Sequence, residues 1–333
     1  MSHHFPLDQN AFADDVTKEP IRAGFGRGLK AAGEANEAIV ALCADLTEST
    51  QMHLFRDAFP KRFVEIGVAE QNLVTVASGM ARAGKIPFTS SYAAFSPGRN
   101  WEQIRTTIAL NDQPVKIIGS HAGISVGPDG ATHQMLEDIA LMRVLPNMIV
   151  VAPADSIEAE KATRAIAENG KPTYLRLARD KTAVFTTQDS PFEIGKAYVL
   201  HEGSDVTLLG TGTMTYELLV AARHLEKQGI SAEVVHVPTI KPLDGETILA
   251  SVRKTGRAVS AEEAQMIGGF GSAIAELLSE HMPTPLKRIG MQDRFGESGK
   301  PTELLDYFGL TGAKMAGTVA EFIKNTDQYH REF

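Results

Sequence analysis

A chain of 333 residues has room for about two domains, and 43% hydrophobic with 22% charged residues is the balance of a folded protein. The net charge of -8 comes without a basic run or basic-aromatic stripe, which argues against nucleic acid as a partner, and no apolar stretch approaches the roughly 20 residues of a membrane span. The start, Met1-Ser2-His3-His4-Phe5-Pro6, lacks the basic and apolar regions of a secretion signal, and the single cysteine permits no internal disulfide, so a cytoplasmic protein is expected.

Residues 1–19 are polar and unpatterned and read as a loose arm. From 20 to 181 apolar runs alternate with helical patterns. Strands are predicted over 38–43, 63–66, 87–91, 115–119, 148–151 and 173–177. Helices are predicted over 21–33, 73–83, 101–110, 135–143 and 156–169. Cys43 closes the apolar run 38–42 and reads as a buried, inert thiol. Gly33, Gly84 and Gly170 each follow a helical pattern, as left-handed C-caps do, and Asp155 or Ser156 suits the start of the fifth helix. Residues 182–192 have no period and read as a linker. A second, smaller unit fills 193–333, with strands over 206–210, 232–237, 258–261 and 286–290 and helices over 216–228, 247–254, 272–281 and 319–325. The predicted fold class is therefore α/β, with two domains, each a mainly parallel sheet flanked by helices.

Two glycine-rich turns invite a nucleotide reading. Gly210-Thr211-Gly212 follows a strand, but Thr215 stands where a dinucleotide fingerprint needs its third glycine, and Glu233 begins its strand instead of ending it. Gly268-Gly269-Phe270-Gly271 has no well-placed acid after it. Plain tight turns are the better expectation for both.

Glu65-Ile66-Gly67-Val68-Ala69-Glu70-Gln71-Asn72 places Glu70 between a predicted strand and helix, at the sheet edge where α/β proteins hold ligands. Its apolar neighbours would disfavour the charged form and suit proton sharing. A first-turn acid complementing the helix dipole is the simpler alternative. Farther on, the loop 120–134 holds His121, His133, Asp129 and three glycines. A solvated loop, a weak metal site and a polar substrate pocket all remain open for it.

Four ordered stretches carry a resemblance: Ala44-Asp45-Leu46-Thr47-Glu48-Ser49, the segment around Glu70, Asp129-Gly130-Ala131-Thr132-His133-Gln134, and Leu145-Pro146-Asn147-Met148. Together they resemble the C-terminal half of transketolase, its pyrimidine-binding and C-terminal domains, from about Pro20 onward. The resemblance implies that Glu70 hydrogen-bonds the aminopyrimidine of thiamine diphosphate and promotes the tautomer that deprotonates the thiazolium carbon. It implies that Tyr92 and Phe95 stack on that ring, and that Asp45 lies near the thiazolium. Arg22, Ser49, His121 and Arg179 would bind the substrate phosphate, while Asp129 and His133 contact its hydroxyl groups, His133 with a catalytic role. Two departures are Gly98, where a third family aromatic falls, and Pro128, where many relatives have Glu.

The family's Gly-Asp-Gly motif for diphosphate and metal is missing from the sequence. The resemblance then implies a split enzyme: an N-terminal transketolase subunit would hold the diphosphate and its Mg2+ or Ca2+, and two copies of each chain would form an α2β2 assembly acting on sugar phosphates, as in the pentose phosphate pathway. Two related enzymes compete. A deoxyxylulose-phosphate synthase has Arg where this chain has His121. The β subunit of a 2-oxoacid dehydrogenase lacks the Asp129-to-His133 pattern. An inactive regulatory paralogue is the non-enzyme alternative, disfavoured by the number of expected residues present.

Overall fold

The structure, a computed structural model, describes residues 5–332. Its strands in chain order are β1 (Lys18–Pro20), β2 (Ile39–Cys43), β3 (Phe63–Glu65), β4 (Ile86–Tyr92), β5 (Lys116–Ser120), β6 (Ile149–Val151), β7 (Thr173–Arg176) and β8 (Lys181–Ala183). They continue with β9 (Tyr198–His201), β10 (Val206–Gly210), β11 (Ala232–His236), β12 (Thr239–Lys241), β13 (Ala258–Gln265) and β14 (Leu286–Met291).

The first sheet runs β12-β6-β7-β5-β4-β2-β3, parallel throughout except for β12. Its middle strands are apolar because helices cover both faces: β2 and β5 are buried at every position. Helices Ile21–Ala35 and Ser156–Glu168 pack on one face, with Phe25, Leu29, Ala162 and Ile166 in a shared core. Helix Glu70–Arg82 covers the other face with Leu73, Val74 and Ala77. The second sheet runs β14-β13-β10-β11-β9 and is parallel except for β9. The two-domain α/β expectation thus matches the architecture.

Several local expectations are corrected. The N-terminal stretch is not loose: Phe5 and Ala11 are buried in the core of the second unit, and β1 pairs antiparallel with β8, which overlaps the start of the stretch read as a linker. Gly33 is no C-cap. It lies inside the first helix, where a Cβ would stand 2.5 Å from Phe55. Gly84 and Gly170 do take positive φ, and the Asp155 side chain accepts the Glu158 N–H as a helix cap. The segment 101–110 holds one α-turn, Trp101–Gln103, followed by a π-helical turn, Ile104–Ala109. Neither glycine-rich turn is open to a nucleotide. Glu233 is paired with Lys254 and bonded to Ser251, and Glu262 accepts the N–H groups of Phe270 and Gly271 at 2.7 Å each. Among the described residues no helix is long and apolar enough to cross a membrane.

Candidate active site

The carboxyl ends of the parallel strands β2, β3, β4, β5 and β7 share one edge of the first sheet, the usual ligand position in such sheets. Asp45 and Ser49 follow β2, Glu70 follows β3, Tyr92 and Phe95 close β4, His121 follows β5, and Arg179 follows β7. Arg22 joins them from the first turn of helix Ile21–Ala35.

The loops are shaped by a carboxylate the sequence reading did not single out. Glu65 Oε1 accepts the N–H groups of Asp45 and Gly67 at 2.7 and 2.9 Å, and Oε2 accepts the Thr47 hydroxyl at 3.0 Å. This fixes Asp45 and Gly67 at positive φ and turns the chain toward Glu70.

Glu70 is 2% exposed. Its Oε2 accepts NH1 of the half-exposed Arg99 at 2.8 Å, and its backbone carbonyl accepts the Asn100 amide at 2.8 Å. The other carboxylate oxygen makes no hydrogen bond with the described residues. The Arg99 guanidinium lies 4.8 Å from the centre of the Phe95 ring. Phe95 and Tyr92 are nearly parallel with centroids 6.1 Å apart, and the His133 ring stands edge-on to Phe95 at 5.4 Å. Tyr92 stacks on His121 at 3.8 Å and shares a 2.7 Å hydrogen bond with Ser49. Next to this segment, the indole N–H of Trp101 donates to the Leu141 carbonyl at 2.8 Å.

His121 is buried at positive φ, held by Ser120 at Nδ1 and, at 3.4 Å, by Ser49 at Nε2. Burial, followed by the charges of Arg22, Arg179 and His133, pushes its pKa down to about 3. The ring is therefore neutral at neutral pH. Arg22 donates through NH1 to the Arg179 carbonyl, and its buried Nε has no partner. Burial and the Arg179 charge lower the Arg22 pKa from its usual range. Two guanidinium groups of like charge, one with an unsatisfied N–H, beside a neutral imidazole form a pocket that favours an anion.

The structure thus links Glu70, Phe95, Tyr92, His133, His121, Ser49, Arg22 and Arg179 in one continuous constellation. Two expected residues stand apart. Asp45 is exposed, with a side chain that bonds no other site residue. Asp129 is exposed at the tip of its loop, likewise without a side-chain hydrogen bond. At Gly98 a Cβ would come 2.1 Å from the Ala94 carbonyl oxygen, so no aromatic side chain fits there. Pro128 is exposed between Gly127 and Gly130, whose positive φ angles shape the loop. Among the described residues no group of three or more His, Cys, Asp and Glu is arranged to hold a metal ion. Sequence reading missed Glu65, Arg99, Asn100 and Glu263; Arg99-Asn100, just after the aromatic pair, was the one accessible signal.

Residues 18–184 match the transketolase pyrimidine-binding domain, and residues 195–315 match the transketolase C-terminal domain. The chain belongs to the transketolase family. This transketolase-family chain is 45% identical over 307 residues to a Methanocaldococcus jannaschii protein named "Putative transketolase C-terminal section", covering 91% of this chain and 96% of that one. It is 43% identical over 288 residues to a 6-deoxy-6-sulfo-D-fructose transketolase subunit of a Clostridium species, covering 86% and 89%. A solved structure titled "Split gene transketolase, inactive beta4 tetramer" superposes with a TM-score of 0.86 at 44% identity, over 92% of this chain and 98% of that one.

Proposed function

We propose that this chain is the C-terminal subunit of a split transketolase. It moves a two-carbon ketol unit from a ketose phosphate to an aldose phosphate, with thiamine diphosphate as cofactor. The carrying observation is the continuous line from a buried carboxylate, through stacked aromatics, to a His-Arg-Arg anion pocket. The names of relatives of the same length, a C-terminal section and a split-gene product, support the division into subunits.

The residues fit the pyrimidine end of the cofactor. Arg99 already places a flat N–C–N group against Glu70 and over Phe95, the two contacts an aminopyrimidine needs. When bound, thiamine diphosphate supplies a carbon nucleophile and an electron sink. Glu70 would hold a proton at the ring nitrogen. Tyr92 and Phe95 would fix the ring plane. His133 stands edge-on to Tyr92 and Phe95, where its imidazole would orient the donor hydroxyl groups and move a proton. Arg22, Arg179, His121 and Ser49 would hold the phosphate at the far end, so that the reacting carbons are placed by the remote anion. Asp129 would contact the donor's hydroxyl groups and Asp45 would lie near the thiazolium. The diphosphate and its divalent metal, Mg2+ or Ca2+, would be held by the N-terminal subunit, in an α2β2 assembly of the cytoplasm.

The test is reconstitution. Ketol transfer from xylulose 5-phosphate to ribose 5-phosphate is expected when this chain, the N-terminal subunit, thiamine diphosphate and Mg2+ are combined, and from neither chain alone. Turnover by this chain alone would sink the division of labour. Pyruvate consumption in place of ketol transfer would sink the transketolase assignment.

A further inference from the structure

β13 carries two consecutive glutamates, Glu262 and Glu263, each no more than 2% exposed. Such a pair in a buried strand costs free energy unless each carboxylate is bonded. Glu262 serves its own domain, accepting the N–H groups at the start of helix Phe270–His281. Burial pushes its pKa up to about 7.

Glu263 faces the other way, into the first domain. Its Oε1 accepts the Ser125 N–H at 2.7 Å, and its Oε2 accepts the Thr213 hydroxyl at 2.9 Å. Its backbone carbonyl takes NH2 of Arg176 at 2.8 Å. The carboxylate lies so close to Gly123, itself at φ +86, that a Cβ there would stand 2.3 Å from Oε1. Ser125 is the middle residue of the single turn Ile124–Val126. The next carbonyl, Val126, accepts NH1 of Arg179, and the Arg179 carbonyl accepts NH1 of Arg22. One carboxylate from the second domain is therefore joined to both arginines of the anion pocket through a short relay of hydrogen bonds.

We propose that Glu263 is a positioning residue for the phosphate end of the substrate. It anchors the Ile124–Val126 turn, and through the Val126 carbonyl it sets the direction of the Arg179 guanidinium without touching substrate. The inference rests on the phosphate role proposed above for Arg22, His121 and Arg179.

Glu263→Ala, Glu263→Gln and Thr213→Val decide it, each in the protein reconstituted with its N-terminal subunit and saturated with thiamine diphosphate. Two quantities are read: the Kd of inorganic phosphate by calorimetry, and KM and kcat with a phosphorylated donor and with unphosphorylated erythrulose. Glu263→Ala removes the partner of a buried N–H. It is expected to weaken phosphate binding and raise the phosphorylated donor's KM about tenfold, with kcat within about threefold and erythrulose transfer unchanged. Glu263→Gln keeps an acceptor oxygen and is expected to restore phosphate affinity to within about threefold of wild type. Thr213→Val removes one anchor of the carboxylate and is expected to weaken phosphate about threefold; it carries the test if the alanine variant does not assemble. Unchanged phosphate affinity in Glu263→Ala, or in Thr213→Val where that variant carries the test, overturns the proposal, as does an equal loss on both donors. If wild type binds phosphate but transfers no ketol unit, the transketolase assignment fails, and the phosphate affinities still decide the role of Glu263.

Discussion

Glu70 keeps a carboxylate inside the protein with a single half-exposed cation as its side-chain partner. Replacing it should therefore affect chemistry far more than assembly. Glu70→Ala is expected to lower turnover by about three orders of magnitude, the middle of the range for a lost general acid–base group, with an unchanged circular dichroism spectrum. Near-normal turnover in that variant would refute the assigned role. His121 gives a prediction in pH. Its pKa is near 3 when folded against an ordinary 6.5, so between those values the unfolded chain takes up a proton that the folded chain does not. The contribution of His121 to stability thus rises with pH across that window and is complete above it. His121→Asn should flatten the rise in urea-unfolding free energy between pH 4 and pH 6.5, the part of the window in which the unfolded chain holds that proton and the folded chain does not. An unchanged slope would mean that the ring is not buried neutral. At this scale Glu70, Tyr92, Phe95 and His121 were legible because each follows an apolar strand. Glu65 and Glu263 were not, because their partners lie as far as 20 and 138 positions away, and a sequence pattern has no term for such distances.

The first helix shows what periodicity omits. Ile21–Ala35 holds four glycines, and their explanation is the neighbouring helix. A Cβ on Gly24 would lie 1.8 Å from the Ser156 carbonyl oxygen, and one on Gly28 would lie 2.7 Å from that of Glu160. The close crossing sets the position of Arg22 in the first turn. Gly24→Ala would push backbone against backbone and is expected to cost about 3 kcal/mol or more, read as a lower Tm, with weaker phosphate binding. A variant as stable as wild type would show that the helices can separate at no cost. The long apolar strands of both sheets were legible from composition alone. Three-residue strands such as β1, β8 and β12 have too few positions for a period of two to appear, and the π-turn at Ile104–Ala109 keeps the apolar spacing of an α-helix.

The two domains are interlocked as well as adjacent. β12 leaves the second unit to pair with β6 at the edge of the first sheet. The N-terminal stretch crosses the other way, burying Phe5 and Ala11 in the second core. Buried Glu158 of the first domain bonds His236 of the second at 2.8 Å. Calorimetry should accordingly show one cooperative unfolding transition for the whole chain. A fragment ending at residue 193 should be unstable or aggregate, since it loses β12, exposes β6 as an edge and uncovers Phe5. A monomeric, cooperatively folded fragment would refute this interdependence. The sequence resolved two α/β units, but nothing in residues 239–241 or in the opening polar stretch announces that each belongs to the other half.

Trp101 gives the molecule a built-in spectroscopic probe. It is the chain's only tryptophan, two residues beyond Arg99 and next to the asparagine that holds Glu70. Excited selectively, the isolated subunit emits from that one position. Movement of Arg99 away from Glu70 can thus be followed as a change in intrinsic emission, without a label and before any turnover takes place.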